Sequence, residues 1–300
     1  MKMQSINSTF FKSESMYINR CYNQTHINNL SFSGFIKKKY EMQYEKGQFI
    51  DAATGQIYNR HKTQWARNDI DWEKFQQYLK QKYKTIDNTD ILIFACSTGE
   101  EAYTMAIILN KLYPDSKFKI KAFDIDEETI KKCNTDKKQG ILVDEYELDG
   151  FECRLNIKHD EACKYFQKVP LGYKNFYRLN EDISQCVEFK KANILTSLDT
   201  ISSSKPAILM ARNMWPYVDP QFYQEFADEL YEKMCPNSIV VIGRFDRLGS
   251  GRISGSDKFP KAMRKVNFEH PSRVFQSGED FNSTTRRLIF EKLPSKVNNV

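Results

Sequence analysis

The stretch that decides the fold runs Ile91-Leu92-Ile93-Phe94-Ala95-Cys96-Ser97-Thr98-Gly99-Glu100-Glu101. Its first six residues are a continuous apolar run, the mark of a strand buried on both faces. Ser97-Thr98-Gly99 breaks the run, and from Glu100 the period changes. Ala102, Met105, Ala106, Leu109 and Leu112 recur at helical spacing until Pro114 ends the helix. Upstream, Trp72, Phe75, Leu79 and Tyr83 share one helical face over 71–83, with Asp71 placed to cap it. Downstream, 118–123 reads as a second strand closed by Asp124. Residues 127–138 then read as a helix with acids first and lysines last, as the helix dipole favours.

Strand–helix–strand–helix is the pattern of a parallel α/β sheet. Apolar stretches at 187–189, 207–211 and 238–243 continue it, a helix crosses 220–234, and 286–292 alternates as a last strand. The weakly periodic stretch at about 141–186 reads as a small inserted subdomain. Residues 1–35 are polar and without period, and Gly47 and Gly55 punctuate a loop-like approach. The whole of 1–59 is therefore expected to be a poorly ordered or helical leader, and 293–300 a tail.

Composition excludes several classes. A chain of 300 residues with 40% hydrophobic and 28% charged residues is ordinary globular protein, not a disordered one. No apolar run approaches the ~18–20 residues that cross a bilayer, and residues 1–30 lack the apolar core of roughly 7–15 residues of a secretory signal. The seven cysteines are scattered and form no C-x-x-C, against a zinc ribbon or a thioredoxin-like motif. A reducing cytoplasm is the expected location. The net charge of +6 sits at the two ends of the chain and leaves 61–243 mildly acidic. Such ends could attract an acidic partner or simply be solvated lysines and arginines.

The chemistry begins where the first strand ends. Ligands of open α/β sheets bind beyond the carboxyl ends of the strands, and Gly99 there would let one approach the backbone closely. One glycine falls short of G-x-G-x-x-G, and no Lys-Ser/Thr follows it, so neither a dinucleotide nor a P-loop fingerprint is present. A plain strand–helix turn would use the same residues. Asp124, at the end of the next strand, could accept from both ribose hydroxyls of a nucleoside, or cap the helix at 127. Both signals together suit a nucleoside ligand without pyrophosphate, such as S-adenosylmethionine.

Five motifs then resemble one family in order. Ala95-Cys-Ser-Thr-Gly-Glu-Glu-Ala-Tyr-Thr-Met-Ala106 is similar to the A-x-S-T-G-E-E-P-Y-S-I-A of the CheR-type protein-glutamate O-methyltransferases of bacterial chemotaxis. Phe123-Asp-Ile-Asp126, Val187-Glu-Phe-Lys-Lys-Ala-Asn-Ile-Leu195, Ala211-Arg-Asn-Met-Trp-Pro-Tyr-Val-Asp219 and Thr63-Gln-Trp-Ala-Arg67 resemble the others. The resemblance implies a Rossmann-like class I methyltransferase sheet over 60–292, mostly parallel with an antiparallel C-terminal strand, plus a small inserted β-subdomain at about 141–186. It implies S-adenosylmethionine as cofactor, leaving S-adenosylhomocysteine. The expected chemistry is O-methylation of glutamate on a chemoreceptor-like protein, by a monomer that does not insert into a membrane and has no nucleic-acid partner.

By the same resemblance Thr63 and Arg67 lie at the site mouth, with Arg67 holding the substrate carboxylate. Gly99 and Glu100 face the methionine end, with Glu101 able to exchange with Glu100 in the alignment. Asp124 takes the ribose, Asn193 and Ile194 flank the adenine, Arg212 and Asn213 line the floor, and Tyr217 shapes the methyl channel. Bland roles compete: a surface ion pair for Arg67, a core ring for Tyr217, a turn for Asn193. A glutamate nucleophile is already ionised at neutral pH, with a reference pKa of about 4.3, and needs no general base. No Ser-His-Asp or Cys-His arrangement is legible.

Four positions depart from the family's pattern: His61, Ala102 and Trp215-Pro216. The family's N-terminal helical domain is also not recognisable in 1–60. Two rival readings follow. Asn213, Pro216 and Tyr217 partly match the N-P-P-Y of amino-methylating enzymes, and the departures would also suit a cofactor-binding regulatory module without turnover. The basic ends alone would suit nucleic acid, but no RNA-binding module is visible.

Overall fold

A run of apolar residues with no polar alternation needs cover on both faces, so each such strand must sit inside a sheet flanked by helices. The computed structural model describes residues 42–45, 48–51, 57–59, 63–67, 70–171, 174–194, 198–215, 223–243, 264–265 and 289–292. All of them lie in the second of two units of the chain, Met1–Lys38 and Lys39–Val300.

The first described elements correct an expectation. Instead of loop or helix, β1 (Met42–Glu45), β2 (Gln48–Asp51) and β3 (Ile57–Asn59) form an antiparallel sheet. Glu45 pairs with Gln48, leaving the two residues Lys46 and Gly47 between the strands. Aromatic and β-branched residues on both sides of a glycine are a hairpin signal, which outweighs the polar average of the segment.

The rest follows the periodicities closely. In chain order come α1 (Trp72–Lys82), β4 (Asp90–Phe94), α2 (Glu100–Leu112), β5 (Ile120–Asp124) and α3 (Glu127–Gln139). Next are β6 (Leu142–Asp144), α4 (Glu145–Leu155), α5 (His159–Ala162), β7 (Phe166–Leu171), β8 (Lys174–Leu179), α6 (Glu181–Gln185) and β9 (Val187–Lys191). Then follow β10 (Ala207–Met210), α7 (Tyr223–Lys233), β11 (Ile239–Val241), β12 (Arg264–Lys265) and β13 (Ile289–Glu291). Asp71 caps α1 by accepting from the Lys74 amide, as its position suggested.

The main sheet has the order β12-β13-β11-β10-β4-β5-β9. Its strands from β11 to β9 are parallel, and β13 runs antiparallel to β11. This is the mostly parallel, Rossmann-like sheet with an antiparallel C-terminal strand. The chain leaves β4 toward β5 and β9 on one side and returns to β10 and β11 on the other. The strand order therefore reverses between β4 and β10, the place where open α/β sheets bind ligands at the carboxyl ends of their strands.

The core is deepest around this reversal. β10 and β11 are buried throughout, and β4 from Ile91 onward. Eight consecutive residues of α2, Ala102 to Leu109, are buried as well, so this helix has cover on every side. Each such Leu, Ile or Phe contributes about 1.5–3 kcal/mol relative to exposure. That layer makes β4 and α2 a rigid platform for whatever sits at their junction. The last strand, β13, is tied to α1 by a nearly buried ion pair, Lys82 Nζ to Glu291 Oε1 at 2.6 Å. Between α3 and β9, the three strands β6, β8 and β7 make a separate antiparallel sheet, accompanied by α4 and α5.

Candidate active site at the carboxyl ends of the strands

β4 must turn into α2 within a few residues, and the backbone does so by leaving ordinary L-residue conformations. Ala95, Ser97 and Gly99 have φ of 51°, 50° and 98°. Ala66 and Asn213, on neighbouring loops, are also left-handed, at 44° and 57°. Such residues cost on the order of 1–3 kcal/mol each and gather where a site is being shaped. The remaining left-handed non-glycine residues among those described, Asn156 and Asn237, lie elsewhere, Asn156 as the C-cap of α4.

Gly99 has a packing role that its position did not announce. It is the N-cap of α2, and a Cβ there would lie 2.7 Å from Phe189 Cζ and 3.3 Å from Tyr103 Cε2. The space beside its backbone is taken by the Phe189 ring from β9, so the glycine serves close helix–sheet packing.

Asp124 is 8% exposed and ties two strand ends together. The Ser97 amide donates to its Oδ2 at 2.8 Å, and the Asp126 amide to its Oδ1 at 3.0 Å. The helix cap is Asp126, which accepts from the amides of Glu128 and Thr129. The choice left open for Asp124 is thus decided against capping. Its carboxylate is held at the carboxyl end of β5 by these two amides.

Glu100 and Glu101 are separated by their partners. Glu101 Oε2 accepts from Arg212 Nη1 at 2.9 Å, and the Arg212 guanidinium, 4% exposed, lies over the Trp72 ring at 5.1 Å. Glu100 instead accepts from Thr98 Oγ1 at 2.7 Å and from the Thr63 hydroxyl. No basic side chain pairs with Glu100 among the described residues. Burial pushes its carboxyl pKa up, more than those hydroxyls pull it down. Glu100 is thus a half-buried carboxylate whose partners are two hydroxyls and its own amide, with no cation beside it among the described residues.

Residues 63–67, expected at the mouth of the site, are tethered to the core. The Ala66 amide donates to Thr104 Oγ1 at 3.0 Å, and the Arg67 carbonyl accepts from Trp72 Nε1 at 3.0 Å and Arg212 Nη2 at 3.4 Å. The Arg67 side chain is half-buried and makes no ion pair among the described residues. Asn193 and Ile194 follow β9 and are half-buried, with Ile194 against the core. Asn213 packs against Gly243 so closely that a Cβ there would meet its Oδ1 at 2.3 Å. Tyr217 lies outside the described residues, as do His61 and Pro216.

The residues that sequence reasoning passed over are Ser97, Thr98 and Thr104, which hold the acids and the mouth. Only Thr98 carried a local signal, a hydroxyl two positions before a glutamate. Cysteine chemistry does not operate at this site: burial pushes the Cys96 thiol well up and Cys133 to about 12, so both are neutral. A Cys-His contact does exist elsewhere, which the sequence reading missed. His159 lies 3.4 Å from Cys163 Sγ and 2.8 Å from Glu152, because i, i+4 spacing places the first pair on one helical turn.

Comparison with known proteins adds the following. Residues 61–261 match the family model for the CheR methyltransferase, SAM binding domain. The curated "Chemotaxis protein methyltransferase 2" of Vibrio cholerae serotype O1 is 24% identical over 183 residues, 59% of this chain and 57% of that protein. The "Chemotaxis protein methyltransferase" of Escherichia coli (strain K12) is 26% identical over 151 residues, 50% of this chain and 49% of that one. Its namesake from Borreliella burgdorferi is 24% identical over 176 residues, 57% of each. The chain spans about half the length of these curated relatives.

Proposed function

Because the chain belongs to the family of CheR methyltransferases, we propose that it transfers a methyl group from S-adenosylmethionine to glutamate carboxylates of a chemoreceptor-like protein. The observation that carries this reading is Glu100, a carboxylate whose pKa burial raises and whose side-chain partners are the hydroxyls of Thr98 and Thr63. The cofactor brings the complementary charge, an ammonium and a sulfonium, and supplies the methyl group when bound. The catalytic domain is read as 60–292, with an insertion at about 141–186 and a leader over 1–59. A cytoplasmic monomer is the form we expect to act. No helix among the described residues is long and apolar enough to cross a membrane.

Each residue then has a task. Glu100 faces the ammonium end, and the Asp124 carboxylate, fixed by the Ser97 and Asp126 amides, accepts from the ribose hydroxyls. Gly99 lets α2 pack beneath the ligand, and Asn193 and Ile194 border the base. Arg212 and Asn213 form the floor, with Arg212 neutralised by Glu101 so that no bare cation opposes the sulfonium. Thr63 orients Glu100. Arg67 holds the incoming carboxylate, and Tyr217 completes the methyl channel. The nucleophile is already anionic near neutral pH, so the protein's work is positioning and charge placement.

The test incubates the protein with methyl-labelled cofactor and receptor-bearing membranes, then treats the product with alkali. Release of labelled methanol is expected, because a glutamyl ester hydrolyses. Alkali-stable label would instead favour nitrogen methylation, and binding without transfer a regulatory module; either result sinks the reading. Arg67→Ala is expected to cut turnover by about 100-fold while changing cofactor affinity little.

A further inference from the structure

We propose that Arg154, on the inserted segment, is a positioning residue for methyl transfer that acts through the Trp65 carbonyl on the aim of Arg67. The inference rests on the role proposed for Arg67. Residues 63–67 form neither helix nor strand, so their conformation depends on tethers. Three come from the main domain: Thr104 on the Ala66 amide, and Trp72 and Arg212 on the Arg67 carbonyl. The fourth comes from α4, where Arg154 Nη1 donates to the Trp65 carbonyl at 2.9 Å. Two arginines thus grip the loop at the carbonyls on either side of Ala66, whose left-handed φ of 44° would relax if a grip were lost.

The side chains repeat the arrangement. The Trp65 ring, 5% exposed, stacks on Tyr103 with centroids 6.0 Å apart and meets Phe151 and Phe166 edge-on at 5.9 and 5.6 Å. Phe151 and Arg154 are three residues apart on α4, so one helix face supplies both the wall for the ring and the donor for its carbonyl. Arg154 forms no ion pair among the described residues, so its guanidinium is committed to this carbonyl.

Gly150 is the independent sign. A glycine inside a helix is unfavourable, yet this one sits in the middle of α4. A Cβ on it would lie 3.1–3.3 Å from the Arg154 guanidinium. The missing methyl gives Arg154 room to lie across its own helix and reach Trp65. The inserted segment therefore reports its position to the mouth of the site through one hydrogen bond and one ring.

The experiment compares the full chain with Arg154→Ala, Arg154→Lys, Arg67→Ala and the Arg67→Ala/Arg154→Ala double variant. Amide hydrogen exchange comes first, because it needs no substrate. In Arg154→Ala, exchange across 63–67 should quicken by about tenfold or more while that of β4 stays unchanged. Unaltered exchange in 63–67 overturns the proposal. In turnover, Arg154→Ala should lower kcat by about 10- to 100-fold with cofactor affinity within about twofold, and Arg154→Lys should recover part of the loss. The double variant should be no slower than Arg67→Ala alone, because Arg154 acts through Arg67. Losses that multiply overturn it in favour of a merely structural role. If Arg67→Ala leaves turnover intact, the role of Arg67 fails, while the exchange result still decides whether Arg154 holds the loop.

Discussion

The two ends of β4 treat a carboxylate in opposite ways. At the amino end, Asp87 is exposed and accepts from Thr85 Oγ1 and the Lys117 amide, each at 2.8 Å. Those bonds hold its pKa below the usual carboxylate range, that from Thr85 most strongly. At the carboxyl end, burial raises the pKa of Glu100, and no cation answers it among the described residues. The backbone differs in the same sense. The carboxyl end carries the left-handed Ala95, Ser97 and Gly99, and the described residues just before β4 carry none. One end is arranged for stability and the other is kept ready for a ligand at a cost to stability.

Four experiments can break or sharpen that contrast. The largest effect is expected of Asp124→Ala, which removes both the ribose acceptor and the clamp on the Ser97 amide. Cofactor affinity should fall by about 100-fold by calorimetry, and stability by about 1–3 kcal/mol in urea melts. Retained affinity would show that Asp124 serves structure alone.

Glu100→Gln should weaken the cofactor by about tenfold yet stabilise the free protein at neutral pH, since it removes a buried charge. The sign follows from linkage. A folded pKa above the unfolded one means the ionised folded form is penalised; stability therefore rises as pH falls through the folded pKa, levelling off below the unfolded pKa. Cofactor affinity should drop over the same window as Glu100 is protonated, and Glu100→Gln should flatten that drop. For Asp87, whose folded pKa is lowered, the contribution is present above the unfolded pKa and is lost as pH falls through the folded one. Asp87→Asn should reduce stability slightly and leave cofactor affinity alone. If both variants moved both quantities in one direction, the contrast between the two ends would fail.

Gly99→Ala combines a positive φ with a contact against Phe189 and should cost about 1–3 kcal/mol in thermal melts. Adding Phe189→Leu should relieve the contact but not the backbone strain, so recovery must be partial. The smallest effect is expected at Tyr103, whose buried hydroxyl has no hydrogen-bond partner among the described residues. Tyr103→Phe should raise stability by up to about 1 kcal/mol, because an unsatisfied polar group is removed from the core. A loss would show that the hydroxyl has a function.

Much of this was legible before any coordinates. The predicted helix from Glu100 to Leu112 is α2, because its apolar spacing and Pro114 are local signals. Asp124 ended its strand as read, and β4 kept the burial its run of aliphatics announced. The sheet at 42–59 was missed because a polar average hid short strands around glycines. The packing role of Gly99 was not legible because the ring beside it comes from residue 189.

What the sequence determined by itself is therefore periodic or adjacent: the α/β alternation, the strand-end acids and the order of five motifs. These depend on backbone geometry over a few residues, which composition and spacing encode directly. The tertiary structure alone decided the partnerships. Glu101 went to Arg212, 111 positions away, leaving Glu100 to Thr98 and Thr63, and Arg154 reached back 89 positions to Trp65. Such pairings depend on which loops the sheet order brings together, and adjacent glutamates are chemically identical until packing gives one of them an arginine.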